Sequence, residues 1–162
     1  MDMYEYSIQM EKDAEQLYLD LADKSKVGGI KKVFKMLAED EAWHQKTIKS
    51  LQKKADVDSK KGSAKAIATV FEDIKHNFRN IKLEDSAVKD YERALEIEKK
   101  GIEHYKKQFA ETKDQKTKDL YDLLIKQESY HLKTVENILD MVRKPEWWVE
   151  NAEFTPKGDD YY

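Results

Sequence analysis

Residues 37–48 read LAEDEAWHQKTI and residues 124–135 read LIKQESYHLKTV, two stretches 87 positions apart. In that register Glu41 falls on Glu128, His44 on His131, Lys46 on Lys133 and Thr47 on Thr134, with the aromatic Trp43 on Tyr130. The same shift upstream lays Tyr4, Glu5, Glu11, Lys12 and Tyr18 on Tyr91, Glu92, Glu98, Lys99 and Tyr105. The chain is therefore built from two copies of one unit. Each copy carries a lone Glu and a Glu-x-x-His separated by 30 positions, Glu11 to Glu41 and Glu98 to Glu128, with a turn expected near the midpoint. Two antiparallel helical arms of equal length bring both groups to one height, roughly 20 Å from the turn at about 1.5 Å rise per residue.

Apolar spacing supports helices throughout. Only five glycines and two prolines occur, and the prolines, Pro145 and Pro156, lie near the C-terminal end. Tyr4, Ile8, Leu17, Tyr18 and Leu21 mark one face of a first helix, predicted to end near Lys26 because Gly28 and Gly29 follow. A second stripe from Ile30 runs through Val33, Phe34, Leu37, Ile48 and Leu51 and fades toward Asp58. The composition loosens around Asp58, Ser59 and Gly62, after which Ile67, Val70, Phe71, Ile74, Phe78 and Ile81 form a shorter amphipathic stretch. A third long helix is predicted after Asp85 or Ser86. A fourth follows, with Thr112 and Gln115 read as its capping box, and runs until Pro145.

These elements define an all-α chain of four long helices: hairpins 3-54 and 86-142, a crossover 55-85 with its own short helix, the whole bundle spanning 1-143. The tail 144-162 is expected to pack locally.

What interrupts the apolar stripes carries the chemistry. Where an apolar residue is due, the chain places Glu11, Glu41, His44, Glu98, Glu128 and His131. A lone ionised carboxylate in a low-dielectric core costs several kcal/mol or takes up a proton, so four in one small bundle need a common cause. Residues three apart share a helical face, so Glu41 with His44, and Glu128 with His131, each offer an oxygen and a nitrogen toward one point. Four carboxylates and two neutral imidazoles balance two divalent cations. Hard oxygen donors with imidazole suit iron or manganese; iron is the first choice, with manganese or a mixed pair as alternatives.

Composition removes other classes of function. The 162 residues hold 30 basic and 33 acidic side chains, a formal net charge of -3, with no long run of one sign to grip phosphate or anionic lipid. No nucleic-acid or membrane partner is expected. The absence of cysteine excludes disulfides, thiolate metal sites and cysteine nucleophiles. The stretch Met1 to Met10 has no basic segment leading into an apolar one, so it does not read as a secretory signal, and a cytoplasmic protein is expected.

One Glu plus one Glu-x-x-His per half, over roughly Tyr4 to Met141, resembles the ferritin-like di-iron carboxylate proteins and, within them, the small rubrerythrin-like members that lack a rubredoxin module. The tail residues Trp147-Trp148-Val149-Glu150 and Glu153-Phe154 also look like those members. The resemblance implies a left-handed antiparallel four-helix bundle with one long crossover. It also implies that Glu11 and Glu98 are terminal ligands, Glu41 and Glu128 bridging carboxylates, and His44 and His131 one nitrogen ligand per iron, the same six residues carrying catalysis. The implied activity is reduction of hydrogen peroxide or dioxygen at two iron ions cycling between Fe2+ and Fe3+, with a ferroxidase or iron-handling role, or an idle metal site in a non-enzymatic bundle, as alternatives. Without the four cysteines of a rubredoxin module, electrons must come from an external donor such as a rubredoxin-like protein. The family's further glutamate, three residues after the third-helix ligand, is here Gly101, and its counterpart in the first half is Ala14. A homodimer with exchanged hairpins is compatible with the long crossover.

Several neighbours have plainer readings. Asp73 and His76 have ligand-like spacing on the crossover helix but no counterpart half a chain away, and read as a surface pair. Glu15, one turn beyond Glu11, reads as an exposed helical glutamate. Tyr18 and Tyr105 lie two turns beyond Glu11 and Glu98 on the same face, where a phenol either fixes a ligand carboxylate or fills the core; Tyr4 and Tyr91 favour packing. His104, opposite Leu17 in the repeat, is expected to be partly exposed. Trp43 and Tyr130 point about 100° away from the ligands, toward outer packing or a subunit contact.

Overall fold

The computed structural model describes residues 2–56, 62–80 and 87–154. Asp58, Ser59, Ile81, Asp85, Ser86 and Pro156, to which the sequence assigns crossover, helix-start or tail roles, lie outside the described residues. The helices are α1 (Met3–Lys24), α2 (Gly28–Gln52), α3 (Ala64–His76), α4 (Val88–Glu111), α5 (Gln115–Arg143) and α6 (Pro145–Asn151), with a 3-10 turn at Phe78–Asn80. No strand occurs among the described residues. The fold is all-α.

Local chemistry explains the boundaries, and two differ from the sequence expectation. Asp2 caps α1 by accepting the Glu5 N–H at 2.8 Å, while the Glu5 side chain returns to the Asp2 N–H. The first helix stops at Lys24, not Lys26. Ser25 turns to extended backbone, and Gly28 and Gly29 start α2 rather than end α1. Gly29 is required there for space: a Cβ would sit 2.7 Å from Ile74 Cγ1 of α3. The capping box expected at Thr112 and Gln115 is replaced by Asp114, which accepts from the Thr117 N–H at 3.0 Å and the Thr117 hydroxyl at 2.7 Å. Thr112 instead closes α4. Thr112 and Asp114 both have extended backbone, but only Asp114 immediately precedes Gln115, the first residue of α5, where its carboxylate reaches the Thr117 N–H.

Helices α1 and α2 pack together as one hairpin and α4 and α5 as the other; α1 also meets α4, and α2 meets α5. The apolar core falls into two clusters on either side of the six polar positions. One gathers Leu17, Tyr18, Leu21, Phe34, Leu37, Tyr91, Ala94, Val135 and Ile138. The other holds Ile48, Tyr105, Tyr121 and Leu124, with Tyr4, Ile8, Leu51 and Phe109 packed against it. Following the chain between clusters gives the direction of each helix. Helices α1 and α5 run one way and α2 and α4 the other, so every neighbouring pair is antiparallel. The connection from α2 to α4 must then travel the length of the bundle, which is why it is long and carries α3.

Helix α3 rests on α2 and α5. It buries Ile67, Phe71 and Ile74 against the larger cluster, where Trp148 of α6 and Phe154 complete an aromatic group with Phe71 and Phe78. Tyr130 is buried beneath them, its hydroxyl donating to the carbonyls of Ala64 (2.8 Å) and Phe154 (3.1 Å). Its counterpart Trp43 is half-buried. Helix α3 and the segment through Phe154 thus cover Tyr130 of α5. No helix among the described residues is long and apolar enough to cross a membrane.

Candidate metal centre

All six polar positions point inward, and none is more than 3% exposed. The one-turn pairs on α2 and α5 supply Glu41 with His44 and Glu128 with His131, while α1 and α4 supply Glu11 and Glu98. Their donor atoms form two groups, Glu11–Glu41–His44–Glu128 and Glu41–Glu98–Glu128–His131, the atoms of each within 4.8 Å of one another. Glu41 and Glu128 belong to both. The two imidazoles lie nearly parallel, 5.8 Å apart between centroids.

Each histidine turns Nδ1 toward the carboxylates. His44 Nδ1 lies 2.8 Å from Glu128 Oε1, 3.3 Å from Glu11 Oε2 and 3.5 Å from Glu41 Oε2. His131 Nδ1 lies 2.7 Å from Glu41 Oε1 and 3.5 Å from Glu98 Oε1. The 2.8 Å contact lacks hydrogen-bond alignment, and Glu128 Oε1, Glu41 Oε2 and Glu98 Oε2 are buried with no hydrogen-bond partner. Buried carboxylate oxygens without a donor are costly, and a pair of divalent cations would satisfy all three. The donor set therefore fits a two-metal site.

Proton affinities show the strain among these groups. Burial and the charges of Glu11 and Glu98 push Glu41 up to about 8. Glu128 goes well above the usual carboxylate range through burial and repulsion from Glu11, Glu41 and Glu98. Burial also opposes ionisation of Glu11, but His44 and hydrogen bonds from its neighbours outweigh it and hold this group at about 2. Glu98 is lowered in the same way by contacts with Glu128, His131 and Tyr18, against its burial. Burial disfavours the charged imidazoles, yet the carboxylates win and raise both His44 and His131 well above 6.5. Without cations the cluster keeps protons in their place.

The tyrosines reach across the bundle. Tyr18 donates its hydroxyl to Glu98, and Tyr105 donates to Glu11 Oε1 at 2.5 Å. Both therefore fix carboxylate orientation while also filling core. Tyr91 is buried against Phe34, and Tyr4 is half-buried. Glu15 is half-buried, not exposed, because Gln45 Nε2 donates to it at 2.9 Å. His104 is half-buried and lies 2.7 Å from the Ser7 hydroxyl. Asp73 and His76 are exposed on α3, away from the cluster. Gly101 is buried beside Glu128, where a Cβ would lie 3.5 Å from Oε2, and Ala14 is buried too.

Two residues absent from the sequence reading complete the centre. His131 Nε2–H donates to Asp40 Oδ2 at 2.9 Å, and His44 Nε2–H donates to Gln127 Oε1 at 2.7 Å. Each partner stands one residue before its own half's ligand glutamate and four before its own half's histidine. That helical spacing, continuing the inward stripe, is the signal that marks them.

A four-helix bundle with one Glu and one Glu-x-x-His per hairpin, facing each other across a buried carboxylate–imidazole cluster, defines the ferritin-like two-metal carboxylate class. Within that class, residues 2–139 match the family model of rubrerythrin, and the chain belongs to the rubrerythrin family. No match is found among curated proteins or among solved structures.

Proposed function

We propose that the protein is a di-iron oxidoreductase that reduces hydrogen peroxide or dioxygen with electrons from a separate donor, such as a rubredoxin-like protein. The observation that carries this reading is the pair of four-residue donor groups sharing Glu41 and Glu128, with unpartnered oxygens between them. In this reading Glu11 and Glu98 would each hold one metal ion, Glu41 and Glu128 would be shared between the two, and Nδ1 of His44 and of His131 would supply one nitrogen to each position. What a bound iron pair supplies is two-electron reduction of an O–O bond.

The protein's own groups do the rest. Four carboxylates offer both one-oxygen and two-oxygen binding and so tolerate a change of charge, while the helices hold their spacing. Tyr18 and Tyr105 keep Glu98 and Glu11 oriented. The apolar clusters on either side exclude bulk water, which strengthens every charge interaction inside. Gly101 and Ala14, small and buried, leave Glu128 without the further carboxylate found in the family.

Anaerobic loading with Fe(II), metal analysis, and stopped-flow mixing with peroxide and separately with dioxygen test the proposal. Two irons per chain and rapid oxidation that a reduced donor protein reverses are expected. Absorbance unchanged by either oxidant overturns it in favour of an idle site, and a retained mineral core after excess Fe(II) overturns it in favour of iron handling.

A further inference from the structure

The repeat makes the two donor groups equivalent in almost every respect. Each has a terminal glutamate held by a tyrosine of the other hairpin, the same two shared glutamates and one histidine Nδ1. The equivalence breaks behind the histidines. Asp40 and Gln127 occupy corresponding positions, and each accepts the Nε2–H of the histidine on the opposite hairpin. One is a carboxylate and the other an amide.

Asp40 is also locked in place. Its Oδ2 accepts the Ser63 N–H at 3.1 Å together with the His131 Nε2–H, and its Oδ1 accepts the Ser63 hydroxyl at 2.8 Å. Ser63 immediately precedes α3, so the crossover helix holds the carboxylate against His131. Asp40 is 5% exposed and Gln127 is 2% exposed, so solvent screens neither.

We propose that Asp40 makes the two metal positions unequal, so that the Glu41–Glu98–Glu128–His131 position fills first and the Glu11–Glu41–His44–Glu128 position second. This rests on the reading of the cluster as a two-metal site. A carboxylate accepting Nε2–H pulls positive charge toward that nitrogen and makes Nδ1 a stronger donor to a cation. It also places a further negative charge near one position only, in surroundings where Coulomb interactions are weakly screened. An amide oxygen polarises the ring less and adds no net charge. Outer partners of metal-bound histidines typically change affinity about 10–100-fold, so a difference of at least about tenfold between the two steps is expected. Asp40 is a positioning residue: it acts through His131 and is not itself a donor to the cation.

The probe is Co(II), titrated anaerobically into the metal-free full-length protein at fixed pH and followed by calorimetry and by visible absorption. The wild type should bind two ions in steps separated by about tenfold or more. Asp40→Asn keeps the shape and an acceptor but removes the charge, and should weaken the first step until the two nearly coincide. Gln127→Glu should instead strengthen the second step and leave the first within about threefold, again closing the gap from the other side. Circular dichroism of each variant establishes that it folds. Should Asp40→Asn fail to fold, Gln127→Glu alone decides, because it leaves the Asp40–Ser63 contact untouched.

Two equal steps in the wild type, or a step ratio that neither variant moves, would overturn the ordering while the two-metal reading stands. No Co(II) binding at all would overturn the two-metal reading, and the ordering with it.

Discussion

Tyr18, on the first hairpin, donates its hydroxyl hydrogen to Glu98 on the second, and so ties the halves together through one of the carboxylates of the cluster. Burial and the surrounding carboxylates raise Tyr18 well above its ordinary value of 10.0, so it remains a donor at any physiological pH. Replacing it with phenylalanine keeps the ring in the core and removes only the hydrogen bond. A hydrogen bond to a buried charged group contributes about 1.5–3 kcal/mol, so Tyr18→Phe should destabilise the metal-free protein by that order. Chemical denaturation of the two proteins side by side measures it, and an unchanged midpoint would show that the phenol only fills space.

The metal-free protein should lose stability as pH rises from mildly acidic to mildly alkaline. Glu41 binds its proton up to about 8 in the fold against an ordinary 4.5, so its contribution is complete below 4.5 and gone above about 8. Glu128, raised further, acts in the same direction. His44 and His131, both raised above 6.5, add a loss that begins at that pH and continues upward. On the acid side the sign reverses. Glu11, held at about 2, contributes stability above 4.5 that disappears as pH falls through its folded value. Thermal midpoints across this range, taken with chelator present, should therefore peak near pH 4.5 and decline toward 8. A curve flat between those limits would contradict the buried cluster.

Metal loading should release protons. Near neutral pH the raised groups Glu41, Glu128, His44 and His131 hold protons that a cation must displace, whereas Glu11 and Glu98 are already ionised. Two divalent ions should thus expel about four protons at pH 7, fewer as pH approaches and passes 8, with affinity rising over the same interval. Calorimetric titration in buffers of different ionisation enthalpy counts them directly. A release near zero would mean that the carboxylates and imidazoles stay protonated and do not ligate.

Much of this arrangement is written in the local pattern. The six cluster residues stand out because each breaks an apolar stripe at helical spacing and recurs 87 positions away. Asp40 and Gln127 escape the same comparison because they match in position but not in residue type, and because each serves the other half's histidine. The partners of Tyr18 and Tyr105 were illegible for a related reason. Two turns along one helix suggests a contact with that helix's own glutamate, but antiparallel packing carries each phenol to the opposite one. Thr112 misled as a cap because its residue type and its extended backbone suit the role as well as those of Asp114, and only the helix start at Gln115 selects the residue immediately before it.

Two glycines on the helices, buried Gly101 and half-buried Gly29, should respond oppositely to a methyl group. At Gly101, in the interior of α4, a Cβ meets Glu128 Oε2 at 3.5 Å and Met10 Cε at 3.8 Å, ordinary contacts. Alanine there should raise the stability of the metal-free protein by up to about 1 kcal/mol through helix propensity. At Gly29 the same methyl would press on the Ile74 side chain at 2.7 Å and 2.8 Å, so that this side chain or α3 itself must shift. Gly29→Ala should cost about 1–3 kcal/mol, the usual cost of overpacking. Denaturant midpoints separate the two signs, and a destabilised Gly101→Ala would mean that the space beside Glu128 is already filled.

The sharing of Glu41 and Glu128 between both donor groups makes a prediction about stoichiometry that no single-metal arrangement reproduces. Glu11→Ala strips a donor from one group only, so the Glu41–Glu98–Glu128–His131 position should still take an ion, and about one iron per chain should remain after anaerobic loading and desalting. Glu41→Ala or Glu128→Ala takes a donor from both groups at once. Those variants should fall below the Glu11→Ala value. Asp73→Ala, altering an exposed side chain on α3 outside both groups, should retain two. Metal analysis of the four proteins prepared together decides it. A Glu41→Ala or Glu128→Ala variant that still holds two irons would remove the shared carboxylates from the centre and leave the two positions as independent sites.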